Sequence, residues 1–511
     1  MTWRLDRRTF LQRSALAGCA LVSGCHGEGP GPGGARRSPG SSDAFLDSDA
    51  LDLAVSIRSG ALSQAEVVEI VIERIEAVDP TLNFMTHRAY ERARARAGSI
   101  PMDSPFAGVP ILIKDIVDVG GLPRTDGSKL MVGNVPEKNV AYIDAVESAG
   151  FNILGLTNVP EFASNMVTDN DLFGATLNPW NLEYSPFTSS GGSAAAVAAG
   201  VVPLAHGTDG GGSNRLPASI TGLLGFKASR HRMLSGEAGG GHDRTKTNQA
   251  ISRTVRDSAA LMDLTEDKSH ARFSPIGFVE GPSTERLKIG YAADAPGVLD
   301  VDPAVRTAME GSVDKLRALG HEVVDVSYPV DAEKFLSAYV VFAAKKLGAL
   351  GALVESKTGE SPMASGMLTR YLASNIETWA RVDPAELEGR DAYLDEIPGR
   401  FEAAFGDVDL IMSPVSPLIG IKYSEFSADK SFDLERANLD VAPLKFTGPV
   451  NFAGNPAMSV PLSWNVKDGL PAGTHFIAGV GRERTLYELA YELEAAYPWR
   501  DTWAPHSLRY L

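Results

Sequence analysis

The chain has few cysteines and a deficit of positive charge, and each shortage excludes a class of protein. Its 511 residues include only two cysteines, Cys19 and Cys25, so no disulfide can stabilise the chain beyond residue 25. Lys and Arg total 48 against 64 Asp and Glu, which gives a formal net charge of −16. Because nucleic-acid binding needs a basic face, we expect no nucleic-acid partner.

Several cofactor and catalytic patterns are also missing from the sequence. No His, Cys, Asp or Glu residues recur at the spacing of metal ligands, and no glycine cluster has the P-loop lysine or the dinucleotide-binding spacing. We therefore predict no metal and no other cofactor. A Ser-His-Asp hydrolase is not favoured either, because no Gly-x-Ser-x-Gly pentapeptide occurs and no histidine stands in a triad context. His206 lies on an apolar run and is predicted to be a core histidine.

Two short motifs are shared with penicillin-binding enzymes, Ser312-Val313-Asp314-Lys315 and Lys357-Thr358-Gly359. The nearest analogue of the third motif of those enzymes, Thr168-Asp169-Asn170, precedes both, which is the wrong order. Ser312 also falls late in an ordinary amphipathic helix pattern. We interpret these matches as chance.

The first 24 residues have the features of an export signal. Residues 6–12 hold a twin arginine before an apolar pair, and the apolar run from Ser14 to Gly24 is about half as long as a bilayer span. The segment resembles a twin-arginine signal, and residues 21–25 resemble a lipobox. That resemblance implies cleavage before Cys25, lipid attachment to its sulfur, and anchorage on the periplasmic side of a membrane. A frayed N-terminal helix of a cytoplasmic protein is the alternative.

The remaining chain divides into a tether and a folded domain. Residues 25–42 are dense in Gly, Pro and Ser, which is typical of a flexible tether, and residues 43–511 are predicted to form the domain. Within the domain, strand patterns at 109–113 and 151–156 enclose a helix pattern at 141–149. This alternation predicts an α/β fold.

Two further patterns predict the ends of one helix and the position of a mostly helical region. Ser63 and Glu66 form a capping box that opens a helix, and Pro80 is predicted to end it. Residues 330–400 are predicted to be mostly helical. We expect no long apolar run within the domain.

Two glycine- and serine-rich segments carry the candidate chemistry. The first is FTSSGGSAAAVAAG at 187–200, and the second is GTDGGGSNRLPA at 207–218. Three glycines before Ser213 let the backbone turn sharply, and their N–H groups can converge on one point, as an oxyanion hole requires. Taken alone, each segment is also compatible with a tight turn or with helix caps.

Together the two segments resemble the amidase signature family. The family's hallmark is a Ser-Ser-Gly-Gly-Ser run followed by Asp-x-Gly-Gly-Ser-x-Arg, and 24 positions separate Ser189 from Ser213, which matches the family's spacing. The family's lysine follows an apolar strand in a Gly-Val-Pro-x-x-x-Lys-Asp context, which here places it at Lys114. Similarity continues at 173–180, 252–257, 451–457 and 468–474. The Thr-Asp-Gly-Gly-Gly-Ser sequence at 208–213 is most similar to that of the 6-aminohexanoate cyclic-dimer hydrolase branch.

The resemblance implies a fold and a mechanism. We expect the amidase signature fold, a large mixed β-sheet flanked by helices in a single catalytic domain. Ser213 is expected to form an acyl-enzyme with a small-molecule amide, while Ser189 relays protons to and from neutral Lys114. The peptide bond between Thr188 and Ser189 is expected to be cis. The sequence leaves the oligomeric state open.

The resemblance also implies roles for the residues around the nucleophile. The amides expected to hold the oxyanion are those of Gly210, Gly211, Gly212 and Ser213. The residues expected to support the loop are Ser190, Asp209 and Arg215.

The sequence departs from the family pattern at two places beside this site. Phe187 and Thr188 stand where the family usually has Gly-Gly, and Asn214 stands where it usually has a branched residue. These departures leave a second hypothesis open, in which the chain is a weakly active or inactive amidase-like lipoprotein that binds a ligand.

Overall fold

One sheet of eleven strands organises the part of the chain described by this computed structural model, residues 45–239, 241–269, 272–295 and 297–511. The strands are β1 Met85–Arg88, β2 Pro110–Lys114, β3 Asn152–Thr157, β4 Leu204–Asp209, β5 Leu224–Lys227, β6 Thr247–Ser252, β7 Lys288–Tyr291, β8 Glu322–Asp325, β9 Leu410–Pro414, β10 Ala457–Lys467 and β11 Leu470–Ala478. Their spatial order is β1-β3-β2-β4-β6-β5-β10-β11-β9-β7-β8. Strands β3, β2 and β4 are parallel, as are β9, β7 and β8, whereas the pairs between β4 and β9 are antiparallel.

Helices flank this sheet. They are α1 Ala50–Arg58, α2 Gln64–Leu82, α3 Tyr90–Arg96, α4 Ala141–Ser148, α5 Gly191–Ala198, α6 Arg215–Thr221, α7 Val255–Thr265, α8 Pro303–Ala318, α9 Ala332–Thr358, α10 Pro362–Ser365, α11 Arg370–Trp379, α12 Pro384–Leu387, α13 Tyr393–Ala404, α14 Ala437–Asp440, α15 Gly448–Ala453 and α16 Glu483–Ala496. The described residues form one compact unit, which confirms the predicted single α/β domain with a mixed sheet. The predicted signal, the tether and the boundary at residue 43 lie outside the described residues.

Helix α2 shows where local sequence rules hold and where one fails. The Ser63 side chain accepts a hydrogen bond from the Glu66 N–H, and the Glu66 carboxylate accepts one from the Ser63 N–H, so the predicted capping box is present. The helix nevertheless continues through Pro80 and ends at Leu82, and the capping residue Asn83 has a φ of 53°. The prediction that Pro80 ends α2 is wrong. Proline has a helical φ, so α2 can pass through Pro80, although this residue has no N–H to donate within the helix.

Helix α9 contradicts the expectation that the domain has no long apolar run. Its 27 residues are long and apolar enough to cross a membrane by length and composition alone. Core helices of water-soluble domains can have the same composition. Here Phe335, Leu336, Val341 and Val354 are among the side chains that α9 buries within the domain. The sequence from 330 to 400 is otherwise helical, as predicted.

The sheet brings two polar strand ends together. Strands β2 and β4 are parallel neighbours, and β2 ends at Lys114 while β4 ends at Asp209. Parallel neighbours place their carboxyl ends at the same edge of a sheet. Helix α5 starts just after Ser190, and helix α6 starts just after Asn214. The two serine-rich segments therefore meet at the edge where Lys114 lies.

Candidate active site

The amine of Lys114 lies within a buried cluster of hydroxyl groups. Its Nζ is 2.6 Å from Ser189 Oγ, 3.0 Å from Ser190 Oγ and 2.8 Å from Thr208 Oγ1. The side chain is fully buried, and among the described residues it forms no ion pair with a carboxylate. Burial lowers the pKa of Lys114 well below its usual range, the positive charge of Lys246 lowers it further, and Asp209 opposes both. The neutral amine, which can accept a proton, is therefore favoured.

The segment before Ser189 has the predicted geometry and accommodates both unusual residues. The Thr188–Ser189 peptide bond is cis, as expected. The Thr188 hydroxyl donates a hydrogen bond to the backbone carbonyl of Asn165. Phe187 has a φ of 62°, and its side chain is buried in an apolar cluster that includes Leu216. The departures at 187 and 188 are thus built into the packing around the site.

The glycine loop before Ser213 requires one of its glycines in particular. Gly212 has a φ of +134°, and a Cβ there would lie 2.4 Å from Thr447 Oγ1. Ser213 is half-buried and lines the same cavity as Ser189. Among the described residues, no hydrogen bond joins the Ser213 hydroxyl to Ser189. Ser213 and Ser189 are therefore neighbours across a shared cavity in this structure.

The structure corrects one part of the expected oxyanion hole. The N–H of Gly212 donates a 2.8 Å hydrogen bond to Asp209 Oδ1. A donor that is already bound to a carboxylate is not free to bind an oxyanion. The amides of Gly210, Gly211 and Ser213 have no such partner among the described residues, so they are the remaining candidates.

Asp209 and Arg215 support the loop from beneath. They form a fully buried ion pair at 2.9 Å, and the Asn451 side chain hydrogen-bonds to both residues. Burial raises the pKa of Asp209, but the charge and hydrogen bonds of Arg215 outweigh it, so the net pKa lies below the usual range. A carboxylate held ionised and enclosed in this way fixes the position of the loop.

Ser190 links the lysine to the second unusual position. Its Oγ accepts from Lys114 and lies 3.2 Å from Asn214 Oδ1. The Asn214 Nδ2 donates to the carbonyl of Phe226, which fixes the orientation of the carboxamide. Asn214 is therefore a buried neighbour of the lysine cluster rather than an exposed change beside it.

A cavity of about 430 Å³ opens beside these groups. Volumes of this size are usual for small-molecule sites. One part of its lining consists of Ser189, Gly210, Gly211 and Ser213. Its apolar and aromatic walls include Ile116, Phe162, Met166, Tyr339, Phe342, Leu347, Leu350, Tyr371, Trp379, Phe432, Val441 and Leu444.

Three contributors to this site were not singled out by the sequence. Thr208 contacts the lysine, Asn451 holds the Asp209–Arg215 pair, and Lys246 bears on the pKa of Lys114. Thr208 and Asn451 lie within the segments 207–218 and 451–457, which resemble the amidase signature family. Their place in those segments is a signal in the sequence that they lie near the site. Lys246 lies in a loop with no recognisable motif.

Ser312 and His206, which competing interpretations of the sequence would use, are both buried core residues. Ser312 is buried within α8 and hydrogen-bonds to Ala308 and Thr474. His206 is fully buried, with burial lowering its pKa to about 3, and its Nε2 lies 3.4 Å from Asn248 Oδ1. Within the described residues, no group of three or more His, Cys, Asp or Glu side chains is arranged to hold a metal ion.

Comparison with known proteins finds relatives that match most of this chain. The family model described as Amidase matches residues 66–487. The 6-aminohexanoate-cyclic-dimer hydrolase of Paenarthrobacter ureafaciens is 33% identical over 483 residues, which cover 88% of this chain and 95% of that relative. A solved 6-aminohexanoate cyclic dimer hydrolase complexed with substrate has a TM-score of 0.80 at 30% identity, covering 90% and 99% of the two chains. A bacterial aryl acylamidase structure has a TM-score of 0.80 at 26% identity, covering 91% and 99%.

Proposed function

The chain belongs to the amidase family of amide-hydrolysing enzymes, and we propose that it cleaves its substrate through an acyl-enzyme on Ser213. The observation that carries this proposal is the 2.6 Å contact between the buried Lys114 amine and Ser189, which shares a cavity wall with Ser213. A serine hydroxyl is a weak nucleophile until a base removes its proton. A neutral lysine connected through a second serine supplies that base.

The hydrogen-bond partners of Lys114 support a definite order of protons. A neutral amine has two N–H donors and one lone pair. Ser190 Oγ and Thr208 Oγ1 can each accept an N–H, at 3.0 Å and 2.8 Å, which leaves the lone pair for the hydroxyl of Ser189. Ser189 is then able to pass its proton to Lys114 while accepting one from Ser213.

In the proposed reaction, Ser213 Oγ bonds to the amide carbon while its proton moves through Ser189 to Lys114. The negative charge on the carbonyl oxygen is held by the amides of Gly210, Gly211 and Ser213. When the C–N bond breaks, Lys114 returns the proton through Ser189 to the leaving nitrogen. Water then hydrolyses the ester on Ser213 and regenerates both serines.

The central test is Ser213→Ala against a panel of amides that includes cyclic diamides and aryl amides, the classes named by the relatives. We expect the variant to lose activity to the background rate, and intact-mass measurement to show no acyl adduct. The matched control is Ser164→Ala, because Ser164 lines the same cavity but donates to the Glu161 carbonyl. Retained turnover in the Ser213 variant would refute the proposed nucleophile.

We also propose that the enzyme is exported and anchored by lipid at Cys25 on the periplasmic side of a membrane. Support comes from the sequence of residues 1–25 alone, in which a twin arginine, a short apolar run and a lipobox-like segment follow one another. Cys25→Ala should release the enzyme from the membrane fraction, whereas Cys19→Ala should leave it there. If the Cys25 variant fractionates with membranes as wild type does, the anchor is wrong.

A further inference from the structure

The wall of the cavity formed by helix α11 places one carboxamide among aromatic rings. Tyr371, Asn375 and Trp379 recur every fourth residue, so they lie on one face of the helix, and all three line the cavity. The ring of Phe432 lies 5.8 Å from Tyr371 and 6.5 Å from Trp379, centroid to centroid. Asn375 is thus a polar group within an otherwise aromatic face.

The carboxamide of Asn375 lacks a partner for its acceptor. The residue is only 9% exposed, and its Oδ1 receives no hydrogen bond from the described residues. By contrast, Asn165 in the same cavity lining accepts a hydrogen bond at Oδ1 from the Met166 N–H. Leaving a buried acceptor unpaired destabilises the folded state. Such a group is explained when a ligand provides the missing donor.

The surroundings favour a neutral and flat donor. The Asp243 carboxylate in the cavity lining is already paired with Lys346 at 3.0 Å. The rings of Tyr371 and Trp379, one helical turn to either side of Asn375, suit a planar group. The carboxamide turns readily about its terminal torsion. A secondary amide is planar and neutral, and it offers an N–H for Oδ1 and a carbonyl for Nδ2.

We propose that Asn375 binds a second amide of the substrate, so that the substrates are diamides in which an apolar chain joins the bound amide to the scissile one. This inference rests on the proposed function, because it assigns the amide that is not cut. The aliphatic and aromatic walls between Ser213 and α11 would cover the connecting chain.

The experiment compares two para-nitroanilides over a series of acyl chain lengths. One probe carries a second amide at the far end of its acyl chain, and its partner carries a ketomethylene there, which removes only the N–H. We expect wild type to prefer the diamide by about tenfold in kcat/KM at the best chain length, as for loss of one hydrogen bond to a buried polar group. In Asn375→Leu the two probes should react equally.

Asn438→Leu is the matched control, because Asn438 lies on the neighbouring helix α14 and donates to Ser337 rather than lining the cavity. This control should keep the tenfold preference. Asn375→Leu should also melt no lower than wild type, since it removes an unpaired polar group. If Asn375 had a purely structural role, Asn375→Leu would have a lower melting temperature than wild type and would keep the preference for the diamide probe.

Calorimetric binding of both probes to the Ser213→Ala variant separates this inference from the proposed function. If wild type cleaves neither anilide but the Ser213 variant binds the diamide more tightly, the role of Asn375 holds and the catalytic proposal fails. Equal affinity and equal kcat/KM for both probes at every chain length would overturn the role of Asn375. The same conclusion would follow if Asn375→Leu kept the wild-type preference.

Discussion

Asp209 and Arg215 form an ion pair at 2.9 Å in which both side chains are fully enclosed. The pair joins the end of strand β4 to the start of helix α6, and the proposed nucleophile Ser213 lies on the loop between them. The position of that hydroxyl therefore depends on a charge pair that substrate does not reach.

Substitution Arg215→Met should destabilise the domain strongly. It leaves the Asp209 carboxylate buried without its counter-charge, and breaking a buried pair in this way typically costs about 3–5 kcal/mol. Urea unfolding followed by circular dichroism measures the loss. Lys467→Met removes the exposed pair with Asp302 instead, and it should cost less than about 1 kcal/mol. Similar losses for both variants would contradict the structural role given to Arg215.

The pH dependence of kcat/KM should report the ionisation of Lys114. The proposed mechanism requires the neutral amine, so kcat/KM should rise with pH through the lowered pKa of that group. The charge of Lys246 helps to hold this pKa down, so Lys246→Met should raise it and move the acid limb to higher pH, by about half a unit or more.

Lys346→Met provides the comparison for that shift. Lys346 also lines the cavity and is paired with Asp243 at 3.0 Å, as Lys246 is paired with Glu237, but only Lys246 acts on the pKa of Lys114. Removal of Lys346 should change KM without moving the limb. An unchanged limb in Lys246→Met would show that another group controls the profile.

Lys114→Met should affect amides more than esters of the same acyl group. The amine leaving group of an amide needs the proton that Lys114 returns, whereas an alkoxide leaving group needs it less. We expect the loss of kcat/KM to be larger on the amide by about tenfold or more, within the usual range for acid–base catalysis. Paired steady-state measurements on one amide and its ester give the ratio. Equal losses would refute proton return by Lys114.

Gly212→Ala should damage the loop in a way that Gly210→Ala does not. The Cβ of an alanine at 212 would lie 2.4 Å from Thr447 Oγ1, and the alanine would have to adopt a φ of +134°. The nearest atom to a Cβ at 210 is 3.8 Å away, which is ordinary contact. We expect about 1–3 kcal/mol of destabilisation at 212 and much less at 210, by thermal unfolding. Equal melting temperatures would contradict the geometry of the loop.

Local patterns predicted much of this molecule because they depend on neighbouring residues. The capping box at Ser63, the strand that ends at Lys114 and the two serine-rich segments were all visible in the sequence. The end of α2 is not predicted by Pro80, because proline has a helical φ and the helix stops instead before the left-handed Asn83. The hydrogen bond from Gly212 to Asp209 was also missed, since composition does not reveal where an amide points.

The cavity walls could not be predicted from the sequence. Tyr339, Asn375 and Val441 reach the site from segments that lie far from Ser213 in the chain, and no motif marks them. Long-range packing decides which face of α9 or α11 turns inward. The unpaired acceptor on Asn375 is visible only once its surroundings are known.

The proposed catalytic groups and the aromatic cavity wall come from different parts of the sequence, so mutations can change one without the other. The groups proposed to act on the scissile bond come from residues 114–213, whereas most of the aromatic wall comes from residues 339–441. Variation in the later stretch can reshape what enters the cavity while the proton relay stays in place. Related enzymes can therefore acquire new amide substrates when one gene segment is mutated or exchanged, while the residues proposed for the hydrolytic step stay unchanged.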